Sequence, residues 1–518
     1  MASRVPLIFF SQVLIIILVL GYAATSSVAQ NIPSEYDTVF LNRSNFPTGF
    51  IFGTASSAYQ YEGAVKEGGR TQSSWDAYTH QHKERILDGS NGDVASDEYH
   101  RYKEDVGIMK DMNTDAYRFS ISWNRLLPNG TINGGVNKEG IQYYNNLIDE
   151  LHAKGLTPFV TIFHWDIPQI LEKEYGGFLS PRVVGHFKDY ADLCFKEFGD
   201  KVKHWITINE PYTYAAGGYV NGFFAPGRCS AWQNLNCTGG DSGTEPYLVS
   251  HHMLLSHAAA VKVYRDKYQA SQKGVIGITH VTSWYVPYAD VHHHLNAASR
   301  SLDFAFGWYM DPLVHGHYPH TMRVLVGKRL PKFTKEESKL VKGSYDFIGV
   351  NYYTSNYAAY APNHNKLEVS YTTDSRTNQT TEKNGVPIGE QATGSSWLYV
   401  YPQGFYDLLN YTKTKYNNPL IYVTENGISE KNDPTLTLKQ ALNDTQRIDY
   451  HFRHLTKLRE AIRDGVNVKG YFAWSLLDNF EWGWGYTVRF GINYVDFDDG
   501  QKRYPKLSAH WFTRFLKK

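Results

Sequence analysis

Two glutamates stand where acid–base chemistry could be done: Glu210, between Asn209 and Pro211, and Glu425, ahead of Asn426-Gly427. Each follows a short apolar, β-branched run, and no cluster of His, Cys and Asp with metal-ligand spacing accompanies them. Two carboxylates facing each other across a pocket can open an acetal, one attacking the anomeric carbon while the other protonates the departing oxygen. The attacking carboxylate must be ionised, a state that Arg118 and Tyr353 would support. The proton donor must keep its proton near neutral pH, which an apolar wall and a neighbouring negative charge favour. Glu210, followed by Pro211 and Tyr212, suits that role. Read in isolation, Glu425 also fits a turn before Asn-Gly, and Asn209-Glu210-Pro211 a helix cap.

Such residues must be carried to one place by regular elements. Short apolar runs recur at 50–54, 116–121, 158–163, 205–208, 275–281, 347–351, 420–424 and 468–474. Between them lie stretches with helical apolar spacing, such as Tyr143-Leu147-Ile148-Leu151 and Phe187-Tyr190-Ala191-Leu193. Strands separated by helices long enough to cross over pair in parallel with right-handed connections. Eight such units predict an α/β fold, a single-domain (β/α)8 TIM barrel with its reacting groups at the C-terminal ends of the strands. At or just after those ends stand Gln60, Arg118, His164-Trp165, Asn209-Glu210, Asn351-Tyr352-Tyr353, Glu425-Asn426 and Trp474.

The 518 residues are enough for a large core. With 52 Lys+Arg against 51 Asp+Glu the net charge is +1, so no global field holds the chain to nucleic acid or an anionic membrane. The aromatic fraction of 15%, with 12 Trp and 39 Tyr, exceeds ordinary core filling and fits a ligand with apolar faces and many hydroxyls.

Thr207-Ile208-Asn209-Glu210-Pro211 and Thr424-Glu425-Asn426-Gly427 resemble the two signature motifs of family 1 glycoside hydrolases, the retaining β-glucosidases. Further matching segments are Phe50 to Ala55 with Ser57-Ala58-Tyr59-Gln60, Tyr117 to Trp123, Phe163 to Asp166, Asn351-Tyr352-Tyr353 and Trp474 to Trp482. The resemblance covers essentially the whole mature chain. It implies that Glu425 is the nucleophile and Glu210 the acid, then the base, with Arg118 and Tyr353 orienting Glu425. It places Gln60, His164, Asn209, Glu481 and Trp482 on the hydroxyls of the glycone over a Trp474 floor, adds Asn351 and Phe490 to the substrate-binding set, and sets Trp397 as an aromatic wall for the aglycone. No cofactor and no metal is implied, and the partner is a small glycoside. A transglucosidase, a myrosinase-type thioglucosidase and a catalytically silent sugar-binding barrel are the alternatives. The thioglucosidases replace the acid Glu with Gln, whereas this chain keeps Glu210. Tyr212 with Phe223-Phe224 predicts an aromatic entrance suited to a flat phenolic aglycone.

Residues 1–29 have the charged, apolar and small-residue regions of a cleaved signal peptide, leaving 30–518 as the barrel domain with no membrane span. Asn42, Asn129, Asn236, Asn378, Asn410 and Asn443 are glycosylation sequons, which fits secretory delivery to the cell wall or vacuole. Cys229 and Cys237 lie in a Gly-, Ser- and Asn-rich segment where an oxidising compartment favours a short-range disulfide, and the same segment resembles plant members that form this bond. Cys194 reads as a buried thiol. The polar stretch 363–393 is expected to be an extended surface loop, and His292-His293-His294 and His251-His252 to be solvated.

Overall fold

The computed structural model describes residues 32–362 and 368–518; the expected signal segment lies outside them. Eight strands form a closed, all-parallel barrel: β1 (Ile51–Ala55), β2 (Ala116–Ser120), β3 (Thr157–Phe163), β4 (His204–Asn209), β5 (Val275–Val281), β6 (Phe347–Asn351), β7 (Ile421–Asn426) and β8 (Val468–Ala473). They neighbour each other in chain order and β8 closes on β1, as right-handed βα units require. Every expected strand is present, with bounds shifted by at most two residues.

Much of the aromatic excess is structural. Phe159, Phe347, Tyr422 and Phe472 fill the barrel interior as one buried cluster, with the Phe159 and Phe472 rings 4.7 Å apart. That plug needs small residues on neighbouring strands: a Cβ on Gly53 would lie 2.4 Å from the Phe472 ring, and one on Gly277 would lie 2.3 Å from the Phe347 carbonyl. A second core lies between the strands and the outer helices.

Three expectations are corrected. Residues 368–393 are built into short elements: a helix at Tyr371–Asp374, a strand at Thr377–Thr380 paired to Ser355–Tyr360, and a ribbon of Glu382–Lys383 with Val386–Pro387. Alternating Thr, Asn and Gln can pair at a surface edge without a strong apolar pattern, so composition alone read as loop. His251 and His252 are buried, because the long helix Glu245–Lys267 packs against its neighbours on several sides; Tyr318 and the Phe178 carbonyl pair their Nδ1 atoms at 2.9 and 2.8 Å. Tyr212 packs on Tyr371 and does not reach the central cavity. His292 and His293 are exposed, Cys194 is buried, and Cys229 and Cys237 are bonded.

The segment after β8 is anchored at Asp478, which is fully buried and accepts from Arg489 Nη1 at 2.6 Å, Lys506 Nζ at 3.0 Å and the Gly491 amide at 3.0 Å. Asp478→Ala leaves Lys506 with Glu430 as its remaining carboxylate and Arg489 with only the neutral acceptors Asn432 Oδ1 and the Val495 carbonyl, and a loss of about 3 kcal/mol is expected, read from the urea midpoint.

Candidate active site

The C-terminal ends of the strands open into a cavity of about 330 Å³. Glu210 follows β4 and Glu425 lies within β7, so the turn reading of Glu425 does not hold. In both strands the pairing register shifts just before the carboxylate, between Ile206 and Asn209 and between Val423 and Glu425. Such irregularities re-aim a side chain, here into the cavity. Glu210 occupies the cap position of the helix Pro211–Tyr219 with φ 41°, yet its side chain bonds no helix amide. A non-glycine residue in the left-handed region carries a cost of about 1–3 kcal/mol. The carboxylate is left free for chemistry.

The two carboxylates have opposite support. Glu425 accepts from Arg118 Nη1 at 2.5 Å through Oε1 and from the Tyr353 hydroxyl at 2.6 Å through Oε2. Arg118 is fully buried and donates also to Asn209 Oδ1 at 2.6 Å and to the Thr424 carbonyl at 3.2 Å. Burial, together with the charges of Glu425 and Glu210, keeps the Tyr353 phenol protonated well above its ordinary range. An arginine and a phenol thus both donate to this one carboxylate. Glu210 has no cation in contact; it accepts from Asn351 Nδ2 at 2.6 Å and Thr213 Oγ1 at 2.7 Å. Burial, then the Glu425 charge, push it up to about 8.

Around this pair the cavity wall combines polar groups with rings. Gln60 is held by Ser57 Oγ on its oxygen at 2.7 Å, and its nitrogen donates to Asn479 Oδ1 and the Phe480 carbonyl, both at 2.9 Å. Glu481 Oε1 is buried with no protein partner, and burial first of all raises its pKa well above the carboxylate range. Such an orphaned acceptor beside Gln60 calls for a hydroxyl-bearing ligand. Asn209 Nδ2 donates to His164 Nε2 at 3.0 Å, and burial with the nearby Arg118 charge keeps that imidazole neutral. Trp474 and Trp482 flank His164, with ring centroids 6.1 and 6.0 Å away. Further out stand Phe224, Trp397, Trp484 and Phe490, the last edge-on to Tyr353.

Eleven of the expected residues line this cavity: Gln60, His164, Asn209, Glu210, Tyr353, Trp397, Glu425, Trp474, Glu481, Trp482 and Phe490. Arg118 and Asn351 do not; they lie beneath it, one under Glu425 and the other under Glu210. Of the expected aromatic entrance, Phe224 lines the cavity, whereas Phe223 packs on Trp484 with its ring about one-third exposed. Sequence reasoning missed Thr213, Thr282, Ser283, Asn356 and Thr381. The first sits one helical turn after Glu210, a spacing that could have exposed it; the others come from segments outside the barrel strands. Among the described residues no group of three or more His, Cys, Asp or Glu could hold a metal, and no helix is long and apolar enough to cross a membrane.

Comparison with known proteins places this geometry. The sequence model of glycosyl hydrolase family 1 matches residues 42–518. Beta-glucosidase 12 of Oryza sativa subsp. indica is 65% identical over 478 residues, 92% of this chain and 94% of that protein. The isoflavonoid 7-O-beta-apiosyl-glucoside beta-glycosidase of Dalbergia nigrescens is 58% identical over 476 residues, 92% of this chain and 86% of that protein. The crystal structure of the rice Os3BGlu6 beta-glucosidase superposes with a TM-score of 0.91 at 52% identity, covering 92% of this chain and all of that one.

Proposed function

The chain belongs to glycosyl hydrolase family 1, and from that premise we propose that Glu425 is its nucleophile and Glu210 its acid and base. The protein is an O-glycosyl hydrolase of the β-glucosidase class, working with retention of anomeric configuration. The observation that carries the residue assignment is the asymmetric support of the two carboxylates. Arg118 and Tyr353 both donate to Glu425, while burial holds Glu210 up to about 8, so that it enters the reaction protonated.

In the first step Glu425 attacks C1 as Glu210 passes its proton to the glycosidic oxygen; the C1–O bond breaks and its electron pair stays with the aglycone, which leaves as the alcohol or phenol. In the second, ionised Glu210 takes a proton from water, whose oxygen displaces Glu425 from C1. Glu481 and Gln60 are positioned to receive sugar hydroxyls above the Trp474 floor. Asn209, held by Arg118 and His164, is assigned to the 2-hydroxyl. Phe224, Trp397 and Trp484 give the cavity an aromatic wall whose chemistry suits a flat phenolic aglycone. The apiosyl-glucoside glycosidase named above, which acts on an isoflavonoid conjugate by its name, supports that substrate class. A thioglucosidase has no use for an acid with so high a pKa, so the retained Glu210 favours O-glycosides.

A secretory route is part of the same reading, with residues 1–29 removed and 30–518 forming one domain. The Cys229–Cys237 bond supports it, as do exposed asparagines at four sequons, Asn129, Asn236, Asn378 and Asn443. Asn42 and Asn410 are half-buried, their side-chain nitrogens already donating to the Thr38 and Tyr406 carbonyls.

The test is incubation of the purified protein with aryl β-glucosides and with a plant glycoside extract read by mass spectrometry. Phenolic glucosides should disappear; an extract left unchanged would overturn the substrate class. The pH profile tests the acid. Because Glu210 must be protonated, kcat/KM on an unactivated glucoside is expected to hold below about pH 8 and to fall tenfold per pH unit above it.

A further inference from the structure

The contacts of Glu210 differ at its two oxygens, and the difference determines where its proton can sit. Oε1 faces Asn351 Nδ2 at 2.6 Å. The orientation of that amide is locked, because its Oδ1 accepts from Thr424 Oγ1 at 2.6 Å and Thr424 Oγ1 in turn accepts from Thr279 Oγ1 at 3.3 Å. Asn351 therefore presents Oε1 only with a donor, and it lies wholly buried beneath the cavity. A proton on Oε1 would face another proton and point away from substrate. Oε2 faces Thr213 Oγ1 at 2.7 Å, and Thr213 lines the cavity.

We propose that the transferred proton resides on Oε2 of Glu210, and that Thr213 is a positioning residue whose hydroxyl stabilises that oxygen as the proton leaves. The inference rests on Glu210 being the acid. While Oε2 carries its proton, that oxygen is a poor acceptor and the bond from Thr213 is weak. As the proton moves to the glycosidic oxygen, negative charge gathers on Oε2 and the Thr213 hydroxyl meets it, so the bond is stronger in the transition state than before it. In the second step the same bond weakens as Oε2 collects a proton from water. The charged and titratable groups facing Glu210 are Glu425 from β7, Arg118 from β2 and Tyr353 just beyond β6. Thr213 touches none of the three in the contacts above, so its removal reads out on Glu210 alone.

The experiment compares Thr213→Val, which keeps the shape, with Thr213→Ser, which keeps the hydroxyl. The substrates are phenyl β-glucoside, a poor leaving group, and 2,4-dinitrophenyl β-glucoside, which leaves without a proton. In Thr213→Val the basic limb of kcat/KM on the phenyl glucoside should move up by about one pH unit, since a donor to the carboxylate form is lost. Its plateau should fall about tenfold, with the dinitrophenyl value staying within about twofold. Thr213→Ser should keep the native limb and ratio. A limb that does not move in Thr213→Val, equal losses on both substrates, or a Thr213→Ser variant that follows Thr213→Val would each overturn the proposal. If the native protein cleaves neither glucoside, it is the assignment of Glu210 that fails instead.

Discussion

Glu425→Ala is expected to lower hydrolysis of every aryl β-glucoside by at least about 10⁴-fold, whatever the leaving group. Without the carboxylate no covalent intermediate forms, and nothing else in the cavity can take its place on C1. The variant should still fold, because Arg118 keeps Asn209 and the Thr424 carbonyl as partners and Tyr353 can be reached by water from the cavity. The space left by the side chain lies on the face that Glu425 attacked. Azide entering there should restore turnover of an activated glucoside and give the α-glucosyl azide, inverted relative to substrate. Product analysis by NMR reads the configuration. Native-like activity without azide would remove Glu425 from its assigned role, and a β-configured azide would place the nucleophile elsewhere.

Glu210→Gln should divide substrates by their need for a proton. The amide keeps the shape: its oxygen can still accept from Asn351, and its nitrogen can donate to Thr213. What disappears is the acid. For phenyl β-glucoside kcat/KM is expected to fall by about 10²–10⁴-fold, the usual worth of general acid catalysis. For 2,4-dinitrophenyl β-glucoside kcat/KM should change less than about tenfold. Its kcat should nevertheless collapse, since water must still be deprotonated in the second step. A glycosyl-enzyme should then accumulate and be visible by mass spectrometry as a sugar adduct on the peptide containing Glu425. The descending limb near pH 8 should vanish from the phenyl glucoside profile. Uniform losses across leaving groups would argue that Glu210 binds rather than protonates.

The barrel was readable because each strand is a short β-branched run bounded by helical spacing, and parallel pairing leaves few ways to connect eight such runs. The site was readable because polar residues recur at the C-terminal ends of the strands, where a barrel gathers its reacting groups. The misreadings have a common physical origin in contacts distant in sequence. His251-His252 looked solvated because histidine is often exposed, whereas a helix covered on several sides buries what it carries. Tyr212 reads as part of an aromatic entrance, but the second and third residues of a helix point to different sides, and Thr213 is the one that meets Glu210. Asn351 was assigned to substrate; only its tertiary neighbours show it bound to the acid from below. The cavity residues after β5, in the outer strand Ser355–Tyr360 and at Thr381 were hidden because no periodicity marks a loop that turns inward.

The hydrogen bonds from Gln60 to Asn479 and Phe480, and from Tyr61 to Leu477, tie together segments more than 400 positions apart. They accompany the closure of β8 on β1. On the ribosome, residues 51–61 emerge more than 400 positions before these partners exist. Until then β1 presents an unpaired edge, and such long-range closure is slow and exposed to aggregation. The Gln60 corner of the cavity is thus completed only once residues 470–480 have emerged, although half of it was made more than 400 positions earlier. An enzyme so built cannot complete its cavity until β8 closes on β1.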